Sequence, residues 1–210
     1  MSKKLTNEQI REIAAAHGFE YGVVKAIYQV ESRGSGFLAN GQPKILFERH
    51  IFRRELQKLG YITLSNEMSK IDPLLCHPRP TQRGGYGSES VQHQRLQNAQ
   101  KLLLRARPDA DENLKAQVRE CALKACSWGL GQIMGFNHKL AGFDNLQDFI
   151  NAMYDSEKAQ LQAMINFLKS AGLEKAMKNK DWRAIARAYN GVAYAKFDYH
   201  NKLARAYERA

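Results

Sequence analysis

The chain has 210 residues, of which 44% are hydrophobic and 25% are charged. This composition is ordinary for a globular protein, and it excludes a disordered or low-complexity chain. Lysine and arginine outnumber aspartate and glutamate by 32 to 21, so the formal net charge is +11. Such an excess predicts attraction to a polyanion, which can be a nucleic acid, an anionic membrane surface or a bacterial envelope.

The three cysteines, Cys76, Cys121 and Cys126, show no C-x-x-C spacing, which indicates reduced structural thiols. A zinc site using Cys76 and His77 is the alternative, but we expect no metal and no cofactor. No stretch approaches twenty apolar residues, and the first residues form no apolar signal region. We therefore expect a chain without stable membrane insertion that is made in a cytoplasm.

Helical spacing of apolar residues predicts one helix from Asn7 to about His17 and a second from about 20 to 31. Thr6 and Gln9 form the capping-box pattern that opens the first helix. The turn sequence at 40–43 lies between Leu38 and 45–47, so we predict a small hairpin there, the one strand candidate in an otherwise all-α chain. Another helix is predicted from His50 to about Leu59.

The composition changes after residue 60. Three of the five prolines lie between 72 and 80, and a glycine-rich stretch at 84–87 surrounds Tyr86. Helices are predicted over 88–107 and from 111 onward, then over 146–170, over 181–188 and from about 199. We predict a small inserted lobe over 57–112 and a larger domain of 1–56 plus 113–210. Tyr86 then either faces a ligand or covers a core.

Two glutamates follow apolar runs. Glu31 lies four residues after Ile27 and seven after Val24, on or beside the inward face at the end of the second helix. Glu48 follows Ile45, Leu46 and Phe47. Burial disfavours the charged form of a carboxyl, which suits a proton donor near neutral pH. The pattern is that of a carboxylate pair for glycosidic cleavage, and the alternative is that each glutamate pairs with a neighbouring arginine.

The segment 127–137 carries three glycines among apolar side chains. Trp128 and Gln132 offer a flat apolar face and an amide that both donates and accepts, which together suit a sugar site. The alternative is a glycine-permitted helix crossing with a tryptophan in the core. A tyrosine and an asparagine, Tyr189 and Asn190, then end a later helix before Gly191.

Three motifs occur in one order: Glu31-Ser32 at a helix end, Gly129-Leu130-Gly131-Gln132-Ile133, and Ala188-Tyr189-Asn190-Gly191. This order resembles the goose-type lysozyme and lytic transglycosylase superfamily. The longer stretches 30–37, 45–50 and 127–135 are similar to the N-acetylmuramidase domain of bacteriophage endolysins that attack Gram-negative hosts. Gly131 departs from the broader superfamily, whose transglycosylases usually carry methionine at this position.

The resemblance implies a lysozyme-like, all-helical fold with a groove between a large and a small module. It implies a hydrolase for the bond between N-acetylmuramic acid and N-acetylglucosamine in peptidoglycan. Glu31 and Glu48 match catalytic positions, while Ser32, Trp128, Gln132, Tyr189, Asn190 and Tyr86 match or adjoin the groove. We expect a monomer that reaches the wall from the host cytoplasm after the membrane is permeabilised.

Other functions stay open at this point. A lytic transglycosylase would use one glutamate and leave 1,6-anhydromuramic ends. A nucleic-acid-binding protein would account for the charge, but the basic residues are spread along the chain and form no recognised motif. A wall-binding module without activity is the third alternative. We expect peptidoglycan and an anionic envelope as partners, and no nucleic acid.

Overall fold

A computed structural model describes residues 3–31, 34–82, 84–191, 195–196 and 198–210. For Glu31, Tyr189 and Asn190 it describes the backbone only. The chain divides into two compact units. Unit 1 comprises residues 1–43, 129–131 and 139–210, and unit 2 comprises 44–128 and 132–138. The small lobe predicted over 57–112 has different bounds from unit 2. It stays a prediction.

Unit 1 is helical in its described residues. Its helices are α1 (Asn7–His17), α2 (Tyr21–Glu31), α7 (Leu146–Asp155), α8 (Glu157–Ser170), α9 (Glu174–Lys178), α10 (Trp182–Asn190) and α11 (Tyr199–Glu208). Helix α2 packs most extensively on α11, and it also contacts α1. The buried side of α2 carries Val23, Val24 and Ile27, which are at most 1% exposed. Apolar burial of this kind fixes the end of α2, where Glu31 lies.

Side-chain caps begin several of these helices, and the one at the start of α1 is the capping box that the sequence predicts. Thr6 and Gln9 form the reciprocal capping box of α1, and Gly18 ends that helix in the left-handed conformation. Ser156 caps α8 through its hydroxyl. Each such cap supplies an acceptor to one of the amide groups that the first helical turn leaves unpaired.

Unit 2 combines four helices with a small sheet in its described residues. The helices are α3 (Arg49–Lys58), α4 (Ile62–Ile71), α5 (Gln92–Ala106) and α6 (Glu112–Lys124), with a short 3₁₀ turn at Glu89–Val91 and another at Gly135–Asn137. Helices α3 and α6 pack together, as do α4, α5 and α6. Their core includes Phe52, Leu56, Met68 and Leu102, each at most 1% exposed.

The sheet has the strand order β1-β2-β3, with β1 at Ile45–Phe47, β2 at Cys126–Trp128 and β3 at Ile133–Met134. Both pairings are antiparallel. The predicted hairpin is therefore wrong, because residues 45–47 pair with a different strand from the one expected. Residues 45–47 form a strand, but the strand pairs with β2, and the turn before it is closed separately by a Phe37–Pro43 bridge.

The helix predictions also need two corrections. The single helix predicted over 146–170 is interrupted at Ser156, whose extended backbone ends α7 and caps α8. Helix α4 lies in the stretch after residue 60, where the sequence patterns predicted no helix. In the described part of the chain, no helix combines the length and the apolar character needed to cross a membrane.

Candidate functional site

Glu48 joins strand β1 to helix α3 and is the N-cap residue of that helix. Its amide donates to the Ala125 carbonyl at 3.0 Å, which fixes the backbone beside β2. Serine, threonine, aspartate or asparagine at an N-cap ordinarily accepts an amide hydrogen from the first turn, and the Glu48 carboxylate makes no such bond. The carboxylate therefore lies at the positive end of the helix dipole while its oxygens remain available to other side chains.

Tyr86 is one of those side chains. Its hydroxyl donates to Glu48 Oε2 at 2.8 Å, although the two residues are 38 positions apart. Burial, and after it the hydrogen bond to Glu48, raises the pKa of Tyr86 to about 12. The phenol is thus a stable hydrogen-bond donor at neutral pH. Two residues singled out in the sequence are in direct contact.

His50 approaches the same carboxylate oxygen. Its Nδ1 lies 3.4 Å from Glu48 Oε2, and the side chains of His50 and Glu48 are 28% and 19% exposed. Glu48 Oε2 therefore accepts the hydrogen bond of the phenol, while Nδ1 of the imidazole lies near it without a hydrogen bond to the residues that the structure describes. No hydrogen bond from any residue that the structure describes reaches the other oxygen, Oε1.

Arg49 does not neutralise the neighbouring glutamate. Its guanidinium donates to the carbonyls of Pro73, Arg79 and Pro80 at 2.9, 3.1 and 3.0 Å. The alternative in which Glu48 serves as the ion-pair partner of Arg49 is thus not what the structure contains. Arg49 instead fastens the proline-rich segment next to the start of α3.

Gln92 supports the site from behind. It is 1% exposed, it accepts the amide hydrogen of Phe47, and it donates to the carbonyls of Tyr86 and Ser88. Sequence reasoning missed this residue, because nothing in the letters around position 92 links it to a glutamate more than forty residues earlier. It also missed His50 and Arg49 as site residues, although both stand in the motif that contains Glu48.

Gln132 lies at the other end of strand β1. It is exposed, its Oε1 accepts the Ser127 hydroxyl at 2.8 Å, and its Nε2 donates to the Lys44 carbonyl at 3.4 Å. Its φ of 46° is unusual for a residue other than glycine, and such backbone strain often accompanies functional sites. Lys44 and Glu48 are four positions apart, which in extended chain corresponds to about 13 Å.

Trp128 has a different place from the one its sequence context suggests. It is 1% exposed, and its indole N–H donates to the Leu123 carbonyl at 3.2 Å. The ring packs in the interior and presents no open face on which a sugar ring could stack. Packing explains this tryptophan, and we do not carry it forward as a substrate contact.

Of four other candidates, one is not described and three are described by their backbone only. Ser32 lies outside the described residues. Glu31 stands at the C-terminal end of α2, and Tyr189 and Asn190 at the C-terminal end of α10, each known by its backbone. Their roles stay predictions.

The loop that follows α2 is held by a buried acid. Glu157 is 2% exposed, and its carboxylate accepts the Ser35 hydroxyl at 2.9 Å, the Gly36 amide at 3.0 Å and the Leu5 amide at 2.9 Å. Gln160, one helical turn later, accepts the Leu130 amide at 2.9 Å. These bonds hold Ser35, Gly36 and Leu130 to helix α8 within unit 1.

In the described residues, a mostly helical chain with a small three-stranded sheet forms a lysozyme-like fold. A family model for N-acetylmuramidases matches residues 20–210. The chain belongs to the N-acetylmuramidase family, and the resemblance seen in its sequence motifs is confirmed.

A solved structure agrees with this assignment. The crystal structure of an endolysin from the Burkholderia phage AP3 is similar over 100% of this chain and 72% of that one, with 33% sequence identity and a TM-score of 0.83. The search of curated proteins found no match. The family and this neighbour support a peptidoglycan hydrolase of the endolysin type, and the expected lysozyme-like, mostly helical fold is confirmed.

Proposed function

We propose that this protein is a phage endolysin that hydrolyses the β-1,4 bond between N-acetylmuramic acid and N-acetylglucosamine in peptidoglycan. Membership of the N-acetylmuramidase family supports the substrate class. The observation that carries the assignment of residues is the contact between Tyr86 and Glu48 at 2.8 Å. A partly buried carboxylate that a phenol orients, and that makes no capping bond, suits a reacting group better than a structural one.

Glycosidic hydrolysis needs two groups with different tasks: a proton donor for the leaving oxygen, and a carboxylate that activates water or stabilises the positively charged transition state. We assign the donor to Glu31 and the second task to Glu48. The Tyr86 hydroxyl donates to Glu48, which therefore acts as an acceptor in this contact, and an ionised carboxylate offers acceptors only. Tyr86, Gln132, Ser32, Tyr189 and Asn190 are proposed to contact the glycan.

The direct test is a pair of isosteric substitutions, Glu31→Gln and Glu48→Gln. Loss of a positioned acid or base lowers turnover by about 10²–10⁴-fold, so each variant should lose most lysis of permeabilised cells while keeping its circular dichroism spectrum. Glu112→Gln is the matched control, because Glu112 is 90% exposed and pairs only with Lys115 three residues later. Turnover like wild type in both test variants would overturn the assignment.

The products distinguish the proposed chemistry from its rivals. Mass spectrometry of digested peptidoglycan should find reducing muramic ends. These ends are heavier by one water, about 18 mass units, than the 1,6-anhydro ends that a transglycosylase leaves. Binding without released sugars would identify a wall-binding module. Tight, salt-sensitive DNA binding without peptidoglycan binding would identify a nucleic-acid-binding protein.

The net charge of +11 has a use in this function. Attraction to the anionic envelope should raise the local concentration of enzyme, and salt should weaken it. We therefore expect slower lysis of cells as salt rises, with a smaller effect on short soluble glycan fragments. The proposal also includes synthesis in the host cytoplasm, access to the wall after membrane permeabilisation, and action as a monomer.

A further inference from the structure

Gln92 is a buried amide that no catalytic role explains. We infer that Gln92 is a positioning residue that holds Tyr86 against Glu48. Its side chain bonds to the backbone of Tyr86 and to that of Phe47, the residue before Glu48. The inference rests on the proposed role of Glu48, and it adds a residue that does not touch the substrate.

The geometry shows how one amide reaches both sides. Gln92 Oε1 accepts the amide hydrogen of Phe47, the residue immediately before Glu48, at 3.2 Å. Gln92 Nε2 donates to the carbonyl of Tyr86 at 2.7 Å and to that of Ser88 at 3.2 Å. Both N–H groups and one lone pair of the carboxamide are thereby used. Glutamine is the fitting side chain, because ionised glutamate cannot donate and leucine can do neither.

The glycine-rich segment around Tyr86 requires hydrogen bonds from outside it to become ordered. Tyr86 precedes the first turn of the 3₁₀ helix and lies among glycines, of which Gly84 and Gly87 have φ values of +87° and +78°. Glycine-rich backbone loses much conformational entropy when it is ordered. The Gln92 bonds oppose that loss at the residue that carries the phenol. They also start at helix α5, which is anchored by Leu96, Leu102 and Leu103, all at most 6% exposed.

Loss of the Gln92 hydrogen bonds to the backbone around Tyr86 should lower turnover. Displacement of a reacting or orienting group by about 1 Å can lower a rate by about 10²-fold. The loss should appear in kcat, and any change in KM should resemble that of Tyr86→Phe, because Tyr86 is itself a proposed glycan contact. The loss of turnover in a Gln92 variant should also depend on the Tyr86 hydroxyl. This dependence distinguishes a positioning residue from one that only stabilises the fold.

The test is a double-mutant cycle of Gln92→Met and Tyr86→Phe, with turnover of purified peptidoglycan as the readout. If Gln92 acts through Tyr86, the double variant should be no slower than the slower single variant, because the interaction can be lost only once. Gln92→Glu, which keeps the acceptor for Phe47 and removes the donors, takes the place of Gln92→Met if that variant does not fold. Gln94→Met is the matched control, since Gln94 is exposed on the same helix and bonds only to Asn98.

A second readout does not depend on activity. Tyrosine absorbance at 295 nm, read within milliseconds of an alkaline pH jump, should contain a step near pH 12 for Tyr86, identified by its absence from Tyr86→Phe. In the Gln92 variants this step should move toward pH 10, the ordinary value for tyrosine. In Gln94→Met it should stay in place.

The outcomes are separable. A non-additive cycle together with a shifted step supports the inference. Additive losses, or an unmoved step in a folded Gln92 variant, overturn it. If Glu48→Gln keeps full turnover, the proposed role of Glu48 fails, and the titration step alone then decides whether Gln92 holds Tyr86.

Discussion

The carboxylate of Glu157 accepts the amide hydrogen of Gly36 at 3.0 Å, although the two residues are 121 positions apart. The same side chain accepts from Ser35 and Leu5. A buried acid with three donors therefore fixes Ser35 and Gly36 to the start of helix α8. Conversion of this acid to its amide therefore has a predictable effect on stability.

Glu157→Gln should destabilise unit 1. The new NH₂ group would face backbone amides, so one or more donors would lose their acceptor, and a buried unsatisfied group costs about 1–3 kcal/mol. The measurement is urea unfolding followed by circular dichroism. Glu12→Gln is the control, because Glu12 is 55% exposed and pairs with Lys158 at the surface, where such pairs contribute little. Equal midpoints for the two variants would contradict the prediction.

Gly36→Ala should be more damaging than its small size suggests. A methyl group at Gly36 would lie 1.8 Å from Gln160 Oε1 and 2.9 Å from Leu130 Cγ. Gln160 cannot withdraw freely, because it is 1% exposed and bonds to both Leu130 and Met153. Overpacking of a well-packed site costs about 1–3 kcal/mol, and loss of these bonds adds to it.

Gly41→Ala separates crowding from backbone strain. Gly41 has a φ of +80° but open space around its Cα, so an alanine there is strained without a clash. It should cost about 1 kcal/mol. Urea midpoints of the two variants compare them directly, and a smaller loss for Gly36→Ala would show that the loop yields easily.

Local sequence patterns account for most of the helices but not for the tertiary pairing. Thr6 and Gln9 announce α1 because a capping box is a short-range signal. The strand at 45–47 is also visible, but its partner at 126–128 is distant, and no local pattern reports a pairing at that separation. The break at Ser156 was missed because the apolar spacing continues across it, and only the cap reveals two helices.

The candidate site divides in the same way. Glu48 and Tyr86 stand out because a carboxylate after an apolar run and a tyrosine among glycines are locally unusual. That they touch follows from tertiary structure, as does the part played by Gln92. Trp128 shows the opposite error: a tryptophan beside glycines suits a sugar site or a core equally well, and its position is buried.

Tyr86 should make stability depend on alkaline pH. Its pKa in the folded chain is about 12, above the ordinary 10, so folding favours the protonated phenol. This contribution is complete below pH 10 and is lost as pH rises toward 12. Wild-type protein should therefore lose more unfolding free energy than Tyr86→Phe across that window, measured by urea unfolding at each pH. Parallel losses in the two proteins would contradict the assignment.

The cysteines should be unreactive in the folded chain. Cys76, Cys121 and Cys126 are buried and form no disulfide. Burial raises the pKa of each thiol, that of Cys121 to about 12, and the thiolate is the reactive form. A thiol reagent at pH 8 should modify none rapidly in the native protein and all three in denaturant. Rapid modification of one native thiol would place that cysteine outside the core.

Arg49→Lys should loosen the proline-rich segment although the charge is kept. The planar guanidinium donates simultaneously to the carbonyls of Pro73, Arg79 and Pro80, a geometry that a lysine ammonium cannot reproduce. Amide hydrogen exchange over 74–79 should therefore accelerate, and lysis should slow because Arg49 adjoins Glu48. Arg105→Lys is the control: Arg105 is 58% exposed and lies 3.6 Å from Asp72 in a surface pair, so its exchange pattern should match wild type. If exchange over this segment were equally slow in both variants, Arg49 would have no part in ordering it.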